Sequence, residues 1–173
     1  MVDKGRGSDK LHLKYKSLPR WTKDGKIIHI KKPLIEIILR KFSESKDETK
    51  NREIRINALV DSGADWSFLP LEIANALCLE VGKSGDTILT IAGETKVNVS
   101  KVHVEIPRSG KLPVSVGTVN VYVMPHEVGQ KAAHFVILGR KDFFEKFEIT
   151  FNETAQYITL KDIHKEQIRK TRF

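Results

Sequence analysis

The sequence predicts a mostly β domain with one or two short helices. Short runs rich in Val, Ile, Thr and Phe recur along the 173 residues, each bounded by Gly, Pro, Asn or Asp. Several of these runs alternate apolar and polar residues with the period of two that a half-buried strand requires. Helical spacing is confined to residues 70–79, where Leu71, Ala74, Leu77 and Cys78 share a face behind Pro70, and to a shorter segment at 141–147.

Residues 1–26 are polar, basic and nearly aperiodic, and read as a flexible arm in which Leu11, Leu13 and Trp21 are free to dock on a neighbour. Asp24-Gly25 signals a turn, and 27–30 a short strand in which the lone His29 reads as half-buried rather than as a ligand. Residues 33–42 form a strand, 43–51 a charged surface loop, and 52–60 a hairpin return strand that becomes continuously apolar as it enters the core. A short strand at 67–69 leads into the helix, which 81–85 terminates. Residues 87–91 and 96–100 flank Ala92-Gly93-Glu94-Thr95 as a hairpin. The second arm continues through 101–106, with Val102, Val104 and Ile106 on one side and His103 on the solvent side. Arg108-Ser109-Gly110 turns the chain into strand material at 114–124, and 125–130 is a loop whose His126 has no catalytic partner. An apolar strand at 134–138 precedes the 141–147 helix, then strands at 148–151 and 157–160 around an Asn152-Glu153 turn. Residues 163–173 are basic and weakly amphipathic. The organisation expected is a basic arm at 1–26, one folded domain at 27–160, and a basic tail at 161–173.

Composition narrows the function classes. Forty per cent hydrophobic residues can fill one core of this size. The single cysteine, Cys78, allows no intrachain disulfide and fits a reducing, cytoplasmic setting; within Leu-Cys-Leu it reads as a small buried hydrophobe. No signal peptide and no membrane partner are expected, since residues 34–39, the longest apolar stretch, are interrupted by Glu36. The net charge of +8 lies largely in the two ends. Solvated tails are the first reading, and salt-sensitive nucleic-acid contact the lesser one. No phosphate loop or zinc-ligand spacing occurs, so no cofactor and no metal are expected.

The chemistry concentrates in Ala58-Leu59-Val60-Asp61-Ser62-Gly63-Ala64-Asp65. An apolar strand delivers Asp61 to its end, and a carboxylate there costs free energy unless it is paired or functional. By itself the stretch is equally ordinary turn chemistry. The downstream His134-Phe135-Val136-Ile137-Leu138-Gly139-Arg140 changes that balance. Together, in this order and with a Pro-led helix between them, the two stretches resemble the retropepsin family of retroviral-type aspartic proteases, over about residues 33–160.

The resemblance implies a closed β-barrel or sandwich lobe forming a C2 homodimer, and an aspartic endopeptidase acting on peptide or protein substrates. It assigns Asp61 as the catalytic carboxylate. It gives Ser62 a bond across the twofold axis, makes Gly63 and Ala64 small for close approach, and pairs Asp65 with Arg140 as a bracing ion pair behind Gly139. It makes the hairpin with Ile91, Ala92, Gly93, Glu94 and Thr95 the flap over the substrate. Trp66 departs from the commonest family residue, and either walls a pocket or packs on the helix. Lys141 separates Arg140 from Asp142, where viral relatives carry Asp or Asn directly after Arg. A single Asp-Ser-Gly loop, with no internal repeat, leaves the second carboxylate to an identical chain. The alternative is a catalytically silent binding or dimerisation module on the same fold.

Overall fold

The computed structural model describes residues 10–42, 52–80, 85–90, 93–124 and 135–163. The expected loops at 43–51 and 125–130, the helix terminator at 81–84, and the positions of Ile91, Ala92, His126 and His134 lie outside the described residues, as does the tail from 164. The chain divides into two compact units, one Leu34–Phe143 and the other Met1–Pro33 with Phe144–Phe173.

The first unit is a β-barrel. Its strands are β4 (Leu34–Lys41), β5 (Glu53–Val60), β6 (Ser67–Pro70), β7 (Gly85–Thr90), β8 (Gly93–Arg108), β9 (Lys111–Met124) and β10 (Val136–Leu138). Hydrogen bonding runs β4-β5-β10-β6-β9-β8-β7, and a further β4–β8 pairing closes the first six of these into a ring. β7 adds to the outside of β8 as a hairpin arm, Thr90 opposite Gly93. Closure needs a bend, and the β8–β9 ladder supplies one by slipping register between Val104–Gly117 and Glu105–Ser115. Such an irregularity kinks and twists a strand pair. Gly117 sits at it with φ +89°, a conformation that disfavours any side chain.

Burial follows the period of two at Val102, Val104 and Ile106 on β8 and at Val119 and Val121 on β9, while β4 is buried on both faces, at Ile35, Ile37 and Leu39 and also at Leu34 and Ile38. At the β4 seam, Arg40 bridges Glu53 of β5 and Glu105 of β8, both at 2.8 Å. The hydrogen bond from Arg40, and then that from Arg55, hold the Glu53 carboxyl below its ordinary value. Its contribution is therefore present above the unfolded carboxyl's range and lost as pH falls through the folded one.

The helix α1 spans Leu71–Ala76 with Pro70 as its N-cap, shorter than the sequence reading. It ends in a two-bond C-terminal motif, Cys78 N–H to Asn75 O at 2.9 Å and Leu79 N–H to Ala74 O at 3.0 Å. Cys78 takes the left-handed position there, φ 51°, and points out; the expected buried hydrophobe is an exposed thiol. The expected helix at 141–147 is also absent. Within the Arg140–Phe144 segment, Lys141 is extended and Asp142 has φ 68°. Asp142 is held there by its carboxylate, which accepts the backbone and side-chain N–H of Asn120, each at 3.0 Å.

The second unit contains β1 (Lys10–Lys14), β2 (Lys16–Trp21), β3 (Ile27–Lys32), β11 (Phe147–Asn152) and β12 (Tyr157–Asp162). Residues 10–21 are thus strands where the sequence reads as an arm. β1 has its partner remote in sequence, whereas β2 pairs locally with β3 across the Asp24-Gly25 turn. β1 adds to β12 in the sheet β1-β12-β11, with Leu11 opposite Leu160 and Leu13 opposite Ile158. Leu160 and Ile158 are fully buried. β2 and β3 form a separate ribbon, on which His29 is exposed rather than half-buried.

Tyr15, only 6% exposed, donates its hydroxyl to Glu153 at 2.7 Å. Its N–H binds Gln156 O at 2.9 Å, pinning the 153–156 turn. Burial first, and then the Glu153 bond, push the Tyr15 hydroxyl up to about 12. The folded state therefore holds this proton while the unfolded chain loses it near its ordinary value of 10.0. Stability is intact below that value and falls as pH rises toward about 12. The loss is on the order of 3 kcal/mol, two pKa units at 1.36 kcal/mol each. Tyr15→Phe is expected to flatten this alkaline decline in denaturant melts taken across the window.

Among the described residues, no helix is long and apolar enough to cross a membrane.

Candidate active site

The Asp61 loop is built around β10. β10 lies between β5, parallel to it with Leu138 opposite Val60, and β6, antiparallel to it with Ile137 opposite Phe68. The chain therefore leaves one neighbour of β10 at Val60 and returns on the other at Ser67, and the six residues between must cross the end of β10. They cross at Gly139. A Cβ there would stand 2.1 Å from Trp66 O and 2.9 Å from Ala64 O, so only hydrogen fits.

Main-chain bonds then lash the loop to the crossing strand. Asp61 N–H donates to Leu138 O at 3.1 Å, Arg140 N–H to Ala64 O at 2.8 Å, and Lys141 N–H to Asp65 O at 2.9 Å. Beneath the crossing, the buried Ser67 hydroxyl oxygen accepts Gly139 N–H at 3.1 Å. Ser67→Ala would leave that buried donor without its acceptor. A cost of about 1–3 kcal/mol is expected in denaturant melts.

Within the loop, Ala64 N–H closes a turn onto Asp61 O at 3.3 Å, and one Asp61 carboxylate oxygen accepts Gly63 N–H at 2.9 Å. A Cβ on Gly63 would lie 3.3 Å from that oxygen, so the glycine keeps the carboxylate uncrowded. Asp61 is half-buried, while Ser62 and Gly63 beside it are exposed. Among the described residues, no cation pairs with Asp61, and no group of three or more His, Cys, Asp or Glu side chains could hold a metal.

The bracing pair takes a looser form than a bidentate bridge. Arg140 Nη1 stands 3.7 Å from Asp65 Oδ1, with both side chains about two-thirds or more exposed (67% and 78%). An exposed pair at that distance contributes little, and the bracing is carried by the Arg140 and Lys141 amides. Trp66 packs edge-to-face on Tyr122 of β9, ring centroids 5.2 Å apart at 77°. Lys141 Nζ lies 4.1 Å from the centre of the Trp66 ring, a cation–π contact. The residue that separates Arg140 from Asp142 thus has its own place.

The described part of the β7–β8 hairpin places Gly93, Glu94 and Thr95 in the β8 strand, opposite Thr90, Leu89 and Ile88. Three of the residues read as the hairpin's tip are therefore ladder residues of its second arm. Two residues of this construction escaped the sequence reading. Ser67 had a signal: it is a polar residue in step with the buried Leu69. Asp142 had none, since its role depends on a left-handed backbone and on Asn120, 22 positions upstream.

No protein-family model matches the sequence, and no curated protein matches it. Among solved structures, the chain is similar to a retropepsin-like aspartic protease from Rickettsia conorii at 15% identity and TM-score 0.50, over 92% of this chain and 96% of that one. EIAV protease complexed with the inhibitor HBY-793 is matched at 21% identity and TM-score 0.37, over 66% of this chain and 86% of that one. The similarity to the Rickettsia structure runs over nearly the full length of both chains. The fold of this chain is therefore retropepsin-like.

Proposed function

We propose that the chain is an aspartic endopeptidase whose active centre is formed by two copies of Asp61, one from each subunit of a C2 homodimer. The observation that carries this reading is Asp61 itself: half-buried, uncompensated by any cation among the described residues, and held on a loop braced by four main-chain or hydroxyl bonds. Rigidity of that kind serves a carboxylate that must be positioned.

Peptide hydrolysis needs a base for the attacking water and an acid for the carbonyl oxygen and the leaving nitrogen. Two carboxylates within hydrogen-bond distance share one proton, as is established for aspartic proteases, and so hold both roles at once. The ionised Asp61 takes a proton from the water as its oxygen bonds to the scissile carbonyl carbon. The protonated partner copy gives its proton to the carbonyl oxygen. Collapse of the tetrahedral species breaks the C–N bond as a proton passes to the nitrogen.

Ser62 hydrogen-bonds across the axis and keeps the carboxylates coplanar. Gly63 and Ala64 admit the substrate backbone, and Asp65 and Arg140 meet its main chain. The β7–β8 hairpin, with Ile91, Ala92, Gly93, Glu94 and Thr95, closes over a peptide bound as an extended strand and excludes water. The setting we assign is the cytoplasm, where Cys78 stays reduced.

The test is a peptide library incubated from acid to neutral pH, with and without a statine-type inhibitor. Cleavage blocked by the inhibitor supports the reading. Absence of cleavage at every pH, or cleavage indifferent to the inhibitor, removes it.

A further inference from the structure

The β2–β3 ribbon carries a face that the peptidase chemistry does not use. Residues directly opposite in an antiparallel pair share a face. The register therefore sets Trp21 with Ile27, Pro19 with His29 and Ser17 with Lys31 on one side, and all six are exposed. Trp21 is 70% exposed and Ile27 51%, and on the opposite face Ile28 is 43% exposed. Large apolar side chains clustered in water at one end of a ribbon mark an interaction surface more than chance scatter.

That end is also rigid. Thr22 N–H binds Lys26 O at 2.8 Å, Gly25 N–H binds Thr22 O at 3.1 Å, and the Thr22 hydroxyl donates to Lys26 O at 2.9 Å. The ribbon's charge is one-sided. Arg20, Lys23 and Lys26 lie at this end and Lys16, Lys31 and Lys32 at the other, against a single acid within residues 16–32, Asp24, which Lys26 already neutralises at 3.2 Å.

We propose that this ribbon docks the protein on anionic lipid bilayers. Trp21, Ile27 and Ile28 enter the headgroup boundary, and the lysines meet lipid phosphates and carboxylates. Trp is favoured at that depth, and basic residues near an anionic surface add attraction that salt screens. A second ribbon is the wrong occupant, because two such surfaces repel. A nucleic acid is disfavoured because Trp21 and His29 are the ribbon's only planar ring side chains, and the aliphatic Ile27 and Ile28 at the Trp21 end offer bases no plane to stack on. The inference does not rest on the peptidase reading.

The test uses the full chain and vesicles of phosphatidylcholine alone or mixed with phosphatidylserine. Cosedimentation is expected with the mixed vesicles only, weakening as salt rises. Lys23→Glu is expected to weaken it about fivefold or more, and the double variant Trp21→Ala, Ile27→Ser at least about tenfold. Brominated acyl chains are expected to quench the fluorescence of the parent protein and not that of Trp21→Phe, a variant that keeps the ribbon's shape. Equal binding to both vesicle types, binding to neither, or undiminished binding by the double variant overturns the proposal. So does an oligonucleotide that binds through Trp21 and Ile27 while bromolipids leave the fluorescence unchanged.

Discussion

Asp61→Asn is expected to lower peptide hydrolysis by on the order of a thousandfold or more, with the fold intact. General acid–base catalysis contributes about 10²–10⁴, and one substitution per chain removes the group from both halves of the centre at once. Asn is nearly the same size as Asp, and its side-chain carbonyl can still accept the Gly63 N–H that Asp61 accepts at 2.9 Å. Circular dichroism and melting temperature should therefore match the parent protein. Cleavage that persists in Asp61→Asn at the parent rate would place the chemistry elsewhere. Loss of cleavage together with loss of folding would speak only to structure, and the Asn side chain is chosen to avoid that.

Gly139→Ala is expected to cost about 3 kcal/mol or more of folding stability. The added methyl would have to occupy space 2.1 Å from Trp66 O and 2.4 Å from Trp66 C, both backbone atoms. A flexible side chain can swing away from such an intrusion; a main chain tied at Ala64 O, Asp65 O and Leu138 O cannot without releasing those bonds. Overpacking alone typically costs about 1–3 kcal/mol, and the lost loop bonds add to it. Gly63→Ala offers the contrast. Its Cβ meets only the Asp61 carboxylate oxygen, at 3.3 Å. That variant should fold and be impaired mainly in turnover. Urea melts of the two variants side by side check the difference.

How much of this was legible in the sequence depends on how local each signal is. The barrel strands were readable because their patterns are local: 33–42 against β4 at Leu34–Lys41, and 52–60 against β5 at Glu53–Val60. The Asp-Ser-Gly loop and the Gly-Arg strand were readable as a pair, and the parallel β5–β10 register puts them side by side. What failed was what depends on distant partners. Residues 10–21 look like an arm because their apolar content is low, yet β1 is held by β12, almost 150 positions on. Residues 141–147 look helical by composition, yet the Asn120–Asp142 bonds stabilise a left-handed residue that breaks any helix. Cys78 looks buried because Leu77 and Leu79 are, yet the C-terminal turn of α1 faces it outward. The Gly139 crossing lies between these cases. Its glycine is visible in the sequence, and the reason for it only in three dimensions.

The most direct test of the account is a subunit-mixing titration. Asp61→Asn protein is added to the parent chain at constant total concentration, under conditions that allow exchange, and peptide cleavage is followed. If each active centre takes one Asp61 from each of two chains, mixed dimers are dead and activity follows the square of the parent fraction. An equal mixture then retains about one quarter of the starting rate. A linear decline, with about one half retained, would mean that one chain carries a complete centre, and would contradict the shared carboxylate pair.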